Sequence, residues 1–200
     1  MRRNIIGTFV LAASLCAATF AQEFKPIFNG RDLSGWKVPD PNPFWKVADG
    51  VLIGENNPEK KGSMLWTEKS YKDVIVELEV RWTDPQIDSG IMVRKPELQL
   101  QLGTSASLKK DMTCSFYTGG TERYPEAGQA RDIGKVWKQG EWNKVRLQAR
   151  GNTFTVWAND QKVSQYTNEK YAGAAPIGLQ IHANIAMKVE FRNITVAELE

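Results

Sequence analysis

The chain has 200 residues, 42% hydrophobic and 24% charged, with 16 Gly and 9 Pro, a composition that excludes a disordered chain, a collagen-like repeat and a multi-span membrane protein. Its 26 basic and 23 acidic residues give a net charge of +3, which is no nucleic-acid footprint. One histidine, His182, and two cysteines exclude a multi-His metal site, a zinc finger and a disulfide scaffold, so chemistry must run mainly on carboxylates, amides, Arg and Lys.

Arg2 and Arg3 precede an apolar stretch from Ile5 to about Ala18, followed by the small residues Thr19 and Ala21. This is the pattern of a secretory signal peptide over residues 1–21, with cleavage expected near Ala21–Gln22 and export to the periplasm or the exterior. The stretch is short for a membrane span and no stop-transfer charges follow it. Leu15 ahead of Cys16 fits lipoprotein processing poorly. The remainder, 22–200, is expected to form one domain. It keeps only Cys114, so no intramolecular disulfide can form, and with no basic neighbour in DMTCSFY that thiol is expected to be a small buried or half-buried residue.

From Phe24 onward the pattern is one of short strands separated by turn residues. In DVIVELEVRW, Val74, Val76, Leu78, Val80 and Trp82 fall on one face and Ile75, Glu77, Glu79 and Arg81 on the other, because side chains alternate across a strand. The same period of two runs through ELQLQL, KVRLQAR, TFTVWA, PIGLQIHA and KVEFRNI, and Asn159-Asp160 makes a hairpin turn between two of the strands. Many short antiparallel strands with one apolar face each need a second sheet to cover them. The expected class is all-β, a two-sheet antiparallel β-sandwich or jelly roll. Between Gly103 and Gly140 the alternation fails and Lys109, Lys110, Asp111, Arg123, Tyr124, Glu126, Gln129, Arg131 and Asp132 cluster. That interval reads as a long surface excursion with one short helix after Glu126, and loops of that length usually carry function.

The polar strand faces hold the candidate chemistry. With Leu98, Leu100 and Leu102 inward, Glu97, Gln99 and Gln101 form an outward row; Met92 and Arg94 oppose Ile91 and Val93. Gln180 and His182 oppose Leu179 and Ile181, while Lys188, Glu190 and Arg192 oppose Val189 and Phe191. If the four strands are neighbours, these side chains share one surface. A solvated sheet face needs no function, but short amides beside an Arg and a His suit a polyhydroxylated ligand, whose hydroxyls donate and accept as Gln does. Of the seven Trp, Trp82 follows the core phase. Trp36, after a Gly, and Trp137, in the excursion, are the candidates to stack on a sugar ring, and Trp157 falls in an outward phase. No Gly-rich phosphate loop, nucleophile elbow, HExxH or EF-hand loop occurs.

The strings FKPIFNGRDLSGWKV, FWKVADGVLIGE, SMLWTEKSYKDVIVELEVRW, DSGIMVRKPELQLQL, GEWNKVRLQARGNTFTVWAND and PIGLQIHANIAMKVEFRNITV resemble, in order, the 3-keto-disaccharide hydrolase domain family, from about Phe24 to Leu199. The resemblance implies a concanavalin-like jelly roll in a secreted or periplasmic protein that processes glycosides. Position by position it implies Arg94, Glu97 and Gln99 after the SGI turn, and Gln180, His182, Glu190 and Arg192 in the late motif. Many relatives resemble LQDHG where this chain reads Gln180-Ile181-His182-Ala183, so the acidic residue beside the histidine is absent.

A ketone at C3 acidifies the C2 hydrogen of a glycoside, so a base can remove it and the C1 aglycone can leave, with water added afterwards. Such a site needs a base and a group that stabilises the enolate. The resemblance implies His182 or Glu97 as the base, Arg94, Arg192 or a bound divalent cation as the oxyanion holder, and Gln99 and Gln180 as orienting groups, with Glu190 also at the sugar site; Trp36 and Trp137 join it on their own account as the stacking candidates named above. A non-catalytic carbohydrate-binding module is the competing reading, because the same scaffold serves both.

Overall fold

The computed structural model describes residues 22–56 and 58–199; the expected signal peptide lies outside them. Fifteen strands follow one another along the chain: β1 Lys25–Pro26, β2 Trp36–Lys37, β3 Trp45–Ala48, β4 Val51–Glu55, β5 Ser63–Tyr71, β6 Val74–Arg81, β7 Asp88–Val93 and β8 Leu98–Ser105. After β9 Lys110–Asp111 and β10 Phe116–Tyr117 come a 3-10 turn, Glu126–Gly128, and a one-turn helix α1, Ile133–Val136; then β11 Asn143–Arg150, β12 Thr153–Ala158, β13 Gln161–Thr167, β14 Ala175–Ile181 and β15 Lys188–Glu198.

They form two antiparallel sheets. The first runs β13-β12-β11-β6-β15-β4-β3, with β1 paired to β15; the second runs β10-β8-β7-β14-β5-β2, with β9 paired to β8. The alternation in the sequence decides which faces meet: Val76, Leu78, Val80, Leu147, Val156 and Phe191 of the first sheet and Leu65, Ile91, Leu98, Leu100, Leu179 and Ile181 of the second are all at most 1% exposed. Burying a side chain of this kind is worth about 1.5–3 kcal/mol, so a one-residue slip in any central strand would exchange core for solvent. The β12–β13 hairpin turns at Asn159 and Asp160, with φ of 47° and 64°, the left-handed values that a two-residue turn between right-twisted strands requires.

The jelly-roll expectation therefore holds, and the excursion carries the short helix expected after Glu126 together with a 3-10 turn and the two short strands β9 and β10, which the broken alternation did not reveal. Trp82 packs in the core, stacked on Trp137 with ring centroids 4.9 Å apart. Trp36 is buried as well, its indole N–H donating to the Ile27 carbonyl at 2.9 Å. Trp36 thus has no ring face open to a sugar, since Gly35, at φ 85°, ends a turn that leaves it buried, and the half-buried Trp137 gives one of its ring faces to Trp82 as α1 ends. Trp157 is half-buried, at a register shift in the β12–β13 pairing. Cys114 is fully buried, and burial pushes its thiol pKa far up, leaving it protonated.

Candidate functional site

Three of the four strands expected to share a polar face are neighbours. β14 pairs with β7 and β7 with β8 in a register that sets Gln180 opposite Gly90 and Gly90 opposite Gln101, while Gly178, Met92 and Gln99 form the next row. All project from the outer face of the second sheet, since Leu179, Ile91 and Leu100 between them face the core. Over this face the excursion folds back, and a cleft of about 350 Å³ opens between Asp88, Gln99, Gln101, Gln180 and His182 on the sheet side and Ser105, Ser107, Tyr117, Arg123 and Tyr124 from the excursion.

The amides are locked to one another. Gln99 donates through Nε2 to Gln101 Oε1 at 2.7 Å and to Gln180 Oε1 at 3.3 Å. Gln101 donates to Asp88 Oδ1 at 2.8 Å, and the second Asp88 oxygen accepts from the Ala106 N–H at 2.9 Å. Tyr124 donates its hydroxyl to Gln101 Oε1 at 3.1 Å, and burial pushes its pKa up to about 12, so it remains a donor at neutral pH. Gly90 makes room for the arrangement: a Cβ there would stand 2.6 Å from both Cγ and Nε2 of Gln99. Because each amide holds its neighbour's orientation, the row presents fixed donors and acceptors rather than freely rotating ones.

His182 sits at the end of this row. Its ring Nδ1 lies 2.7 Å from the Ala183 carbonyl; a carbonyl can only accept, so Nδ1 is the donor in this contact and Nε2 is the ring nitrogen left for a ligand. The backbone N–H of His182 donates to the Asp88 carbonyl at 3.2 Å, which fixes the residue against β7. Arg123 is exposed at the cleft wall, and its guanidinium makes no hydrogen bond or ion pair with any described residue. The cleft thus holds a base, an uncommitted cation and a row of amides.

The other candidates from the sequence lie elsewhere. Glu97 is exposed just before β8 and lines an adjoining hollow of about 420 Å³ instead of the cleft. Arg94, expected outward, has a side chain only 1% exposed. Its φ of 71° takes it out of strand geometry, so the alternation fails at that residue and the guanidinium turns inward. There it donates to the Lys72 carbonyl, to Asp73 Oδ1 at 2.8 Å and to the Gly151 carbonyl at 2.9 Å, tying the β5–β6 and β11–β12 turns together. Glu190 and Arg192 do face outward, but from the first sheet, on the far side of the sandwich. Arg192 pairs with Glu79 at 2.9 Å and Glu190 with Arg81 at 2.6 Å, and both arginines stack on Trp142, at 4.2 and 4.6 Å from its ring centroid. The Arg192 hydrogen bond holds the Glu79 carboxyl below its ordinary range. At Glu190, desolvation is outweighed by bonds from Lys188 and Arg81, which lower the carboxyl likewise.

Asp88, Arg123 and Tyr124 were absent from the site expected from sequence, and Gln101, placed in the outward row, was given no role there, although their signals were present. Asp88 and Gln101 share the outward parity of Met92 and Gln99, and Arg123 and Tyr124 belong to the polar cluster of the excursion. Among the described residues no group of three or more His, Cys, Asp and Glu could hold a metal ion. Asp88 is the one carboxylate lining the cleft, and both its oxygens are engaged, so the cleft residues do not make a ligand set for the divalent cation raised as one oxyanion holder. No helix among the described residues is long and apolar enough to cross a membrane.

Comparison with known proteins accords with this geometry. The profile of the 3-keto-alpha-glucoside-1,2-lyase-like domain matches residues 23–197. The chain belongs to that family. Among solved structures, a candidate glycosyl hydrolase from Parabacteroides distasonis ATCC 8503 is 21% identical, with a TM-score of 0.63 over 88% of this chain and 94% of that one. The carbohydrate-binding module CBM66 from Bacillus subtilis is 13% identical, with a TM-score of 0.61 over 82% and 96%. The Bacillus licheniformis beta-glucanase is 13% identical, with a TM-score of 0.58 over 91% and 100%. At these identities the likeness is one of fold, a jelly roll used by glycoside-cleaving and sugar-binding proteins. No curated protein matches the chain by sequence.

Proposed function

We propose that this protein cleaves 3-keto-glycosides by elimination across C1 and C2, followed by hydration, in the outer-face cleft of its second sheet. The observation that carries the reading is His182, whose Nδ1 is spent on the Ala183 carbonyl so that Nε2 is left for a ligand, at the end of a locked amide row inside a cleft that also holds an unpaired arginine. Family membership supplies the substrate class; Arg2, Arg3 and the apolar stretch behind them support action after export.

In the proposed reaction Gln99 and Gln180 hold the sugar hydroxyls, with the buried Gln101 anchoring Gln99 behind them, while His182 Nε2 takes the proton from C2. The negative charge that develops on the C3 oxygen is held by Arg123, while the Tyr124 hydroxyl steadies Gln101. The electron pair of the former C2–H bond then closes a C1–C2 double bond, the C1–O bond breaks, and the aglycone oxygen departs with the proton that His182 Nε2 had taken from C2, which restores the base. Water added across the double bond returns the free 3-keto-sugar. General base catalysis contributes about 10²–10⁴-fold and an oxyanion donor about 10²–10³-fold.

Release of p-nitrophenol from p-nitrophenyl 3-keto-α-glucoside tests the reading. Wild type should release it with a primary isotope effect from deuterium at C2. His182→Ala should lose about 10²-fold or more in kcat while its melting temperature stays put. Release with no isotope effect and full His182→Ala activity would refute the mechanism, and sugar binding without any release would make the protein a carbohydrate-binding module.

A further inference from the structure

The adjoining hollow shares the outer face of the second sheet with the cleft. We infer that Trp66 in this hollow is the stacking platform for the aglycone ring of a disaccharide ligand, an inference that rests on the reading of the cleft as a sugar site. Register places the two in line: Lys37 pairs with Trp66, Trp66 with Gly178, Gly178 with Met92 and Met92 with Gln99. From Gln99 on β8 to Trp66 on β5 there are three strand spacings, about 14 Å, the scale of a disaccharide lying across the strands rather than of one ring.

Gly178 fits the platform. A Cβ on that residue would stand 2.5, 2.6 and 2.9 Å from Cζ3, Cε3 and Cη2 of Trp66, so the six-membered part of the indole covers the bare backbone of β14. Side chains elsewhere on a sheet stand up from it; here the missing Cβ lets a large ring settle against the strand. Trp66 is half-buried, makes no ring contact with another aromatic among the described residues, and donates its indole N–H to none of them. Around it stand Lys37, Ser70, Lys95 and Glu97, with Pro176 as an apolar edge, enclosing about 420 Å³. An aromatic floor with a polar rim matches a pyranose, whose C–H face packs on the ring while its hydroxyls reach outward. Glu97, which has no role at the cleft, gains one here as an acceptor for aglycone hydroxyls.

Calorimetric titration in the His182→Ala background, where turnover does not interfere, compares 3-keto-maltose with methyl 3-keto-α-glucoside. Trp66→Ala should weaken 3-keto-maltose about tenfold and leave the methyl glycoside within twofold; Trp66→Phe should recover part of the loss. Gly178→Ala, which displaces the ring without removing it, should mimic Trp66→Ala. Equal losses for both ligands, no loss for either, or no binding of 3-keto-maltose at millimolar concentration would overturn the platform. The two readings fail separately. Cleavage of methyl 3-keto-α-glucoside by wild type with Trp66-independent binding sinks the platform alone, whereas Trp66-dependent binding without cleavage by wild type sinks the elimination alone.

Discussion

Replacing Arg94 with Met removes a guanidinium that holds two turns together while keeping most of the side-chain volume. Breaking a buried ion pair by removing one partner costs about 3–5 kcal/mol. Asp73 belongs at the low end of that range, because its side chain is 30% exposed and water can replace part of what Arg94 supplies. The Lys72 and Gly151 carbonyls sit on exposed residues and can also be hydrated. One contribution has the opposite sign: Arg94 Nε is buried without a partner, and its removal returns about 1 kcal/mol. Arg94→Met should therefore destabilise the fold by about 2–3 kcal/mol, lowering the melting temperature by about 5–10 °C. The hydrogen bond from Arg94 lowers the folded-state pKa of Asp73, so this share of stability is present above the ordinary carboxylate range and is lost as pH falls through the depressed value. In urea titrations the difference between wild type and Arg94→Met should accordingly be full at pH 7 and shrink below about pH 4. An unchanged melting temperature together with a tenfold rise in KM for a 3-keto-glucoside would refute the argument and return Arg94 to the ligand.

Gly90→Ala should displace Gln99, since the new methyl would lie 2.6 Å from its side chain; KM for the 3-keto-glucoside should rise several-fold and stability fall by about 1–3 kcal/mol, with an unchanged KM in steady-state kinetics arguing against a role for the amide row. Glu190→Gln and Arg192→Gln lie across the sandwich from the cleft and should leave kcat and KM within twofold, a larger fall in kcat showing that the far face reaches the substrate. Native Cys114 should resist iodoacetamide at pH 8, where mass spectrometry would reveal adduct only after unfolding. Unoxidised p-nitrophenyl α-glucoside should not be cleaved, as p-nitrophenol absorbance would report.

Much of the fold was legible because one face of nearly every strand is apolar: the phases of ELQLQL, GLQIHA and KVEFRNI placed Leu100, Leu179 and Phe191 inward as found. Alternation fixes which way a side chain points within its own strand; it does not fix which strands are neighbours. Gln99 and Gln180 meet because β8, β7 and β14 are adjacent, while Glu190 and Arg192, in the same outward phase, belong to the other sheet. Arg94 was misplaced for a local reason, a left-handed residue at the strand end that reverses the count. Trp36 and Trp137 show a third kind of failure. Composition alone does not separate a ring that fills a core from one that lines a site, and the ring that lines the hollow beside the cleft is Trp66, marked by the glycine opposite it and not by its own neighbours in sequence.

The choice of elimination over direct glycoside hydrolysis follows from what the cleft lacks as much as from what it contains. Hydrolysis through an oxocarbenium-like transition state uses two carboxyl groups flanking the bond, about 5–9.5 Å apart. Among the residues lining this cleft Asp88 is the one carboxylate, and it is spent on Gln101 and Ala106. An imidazole is a poor substitute for that pair, because it brings no negative charge to oppose a developing cation. It is well suited to the opposite problem: once C3 is a ketone, the reaction develops negative charge on oxygen, and the cleft offers a base to take the proton, an arginine to meet the charge and neutral amides that do not repel it. In the proposed reaction the 3-keto group thus supplies, through the acidity it gives the C2 hydrogen, part of the activation that a carboxylate pair supplies in a hydrolase, and one histidine serves as the base.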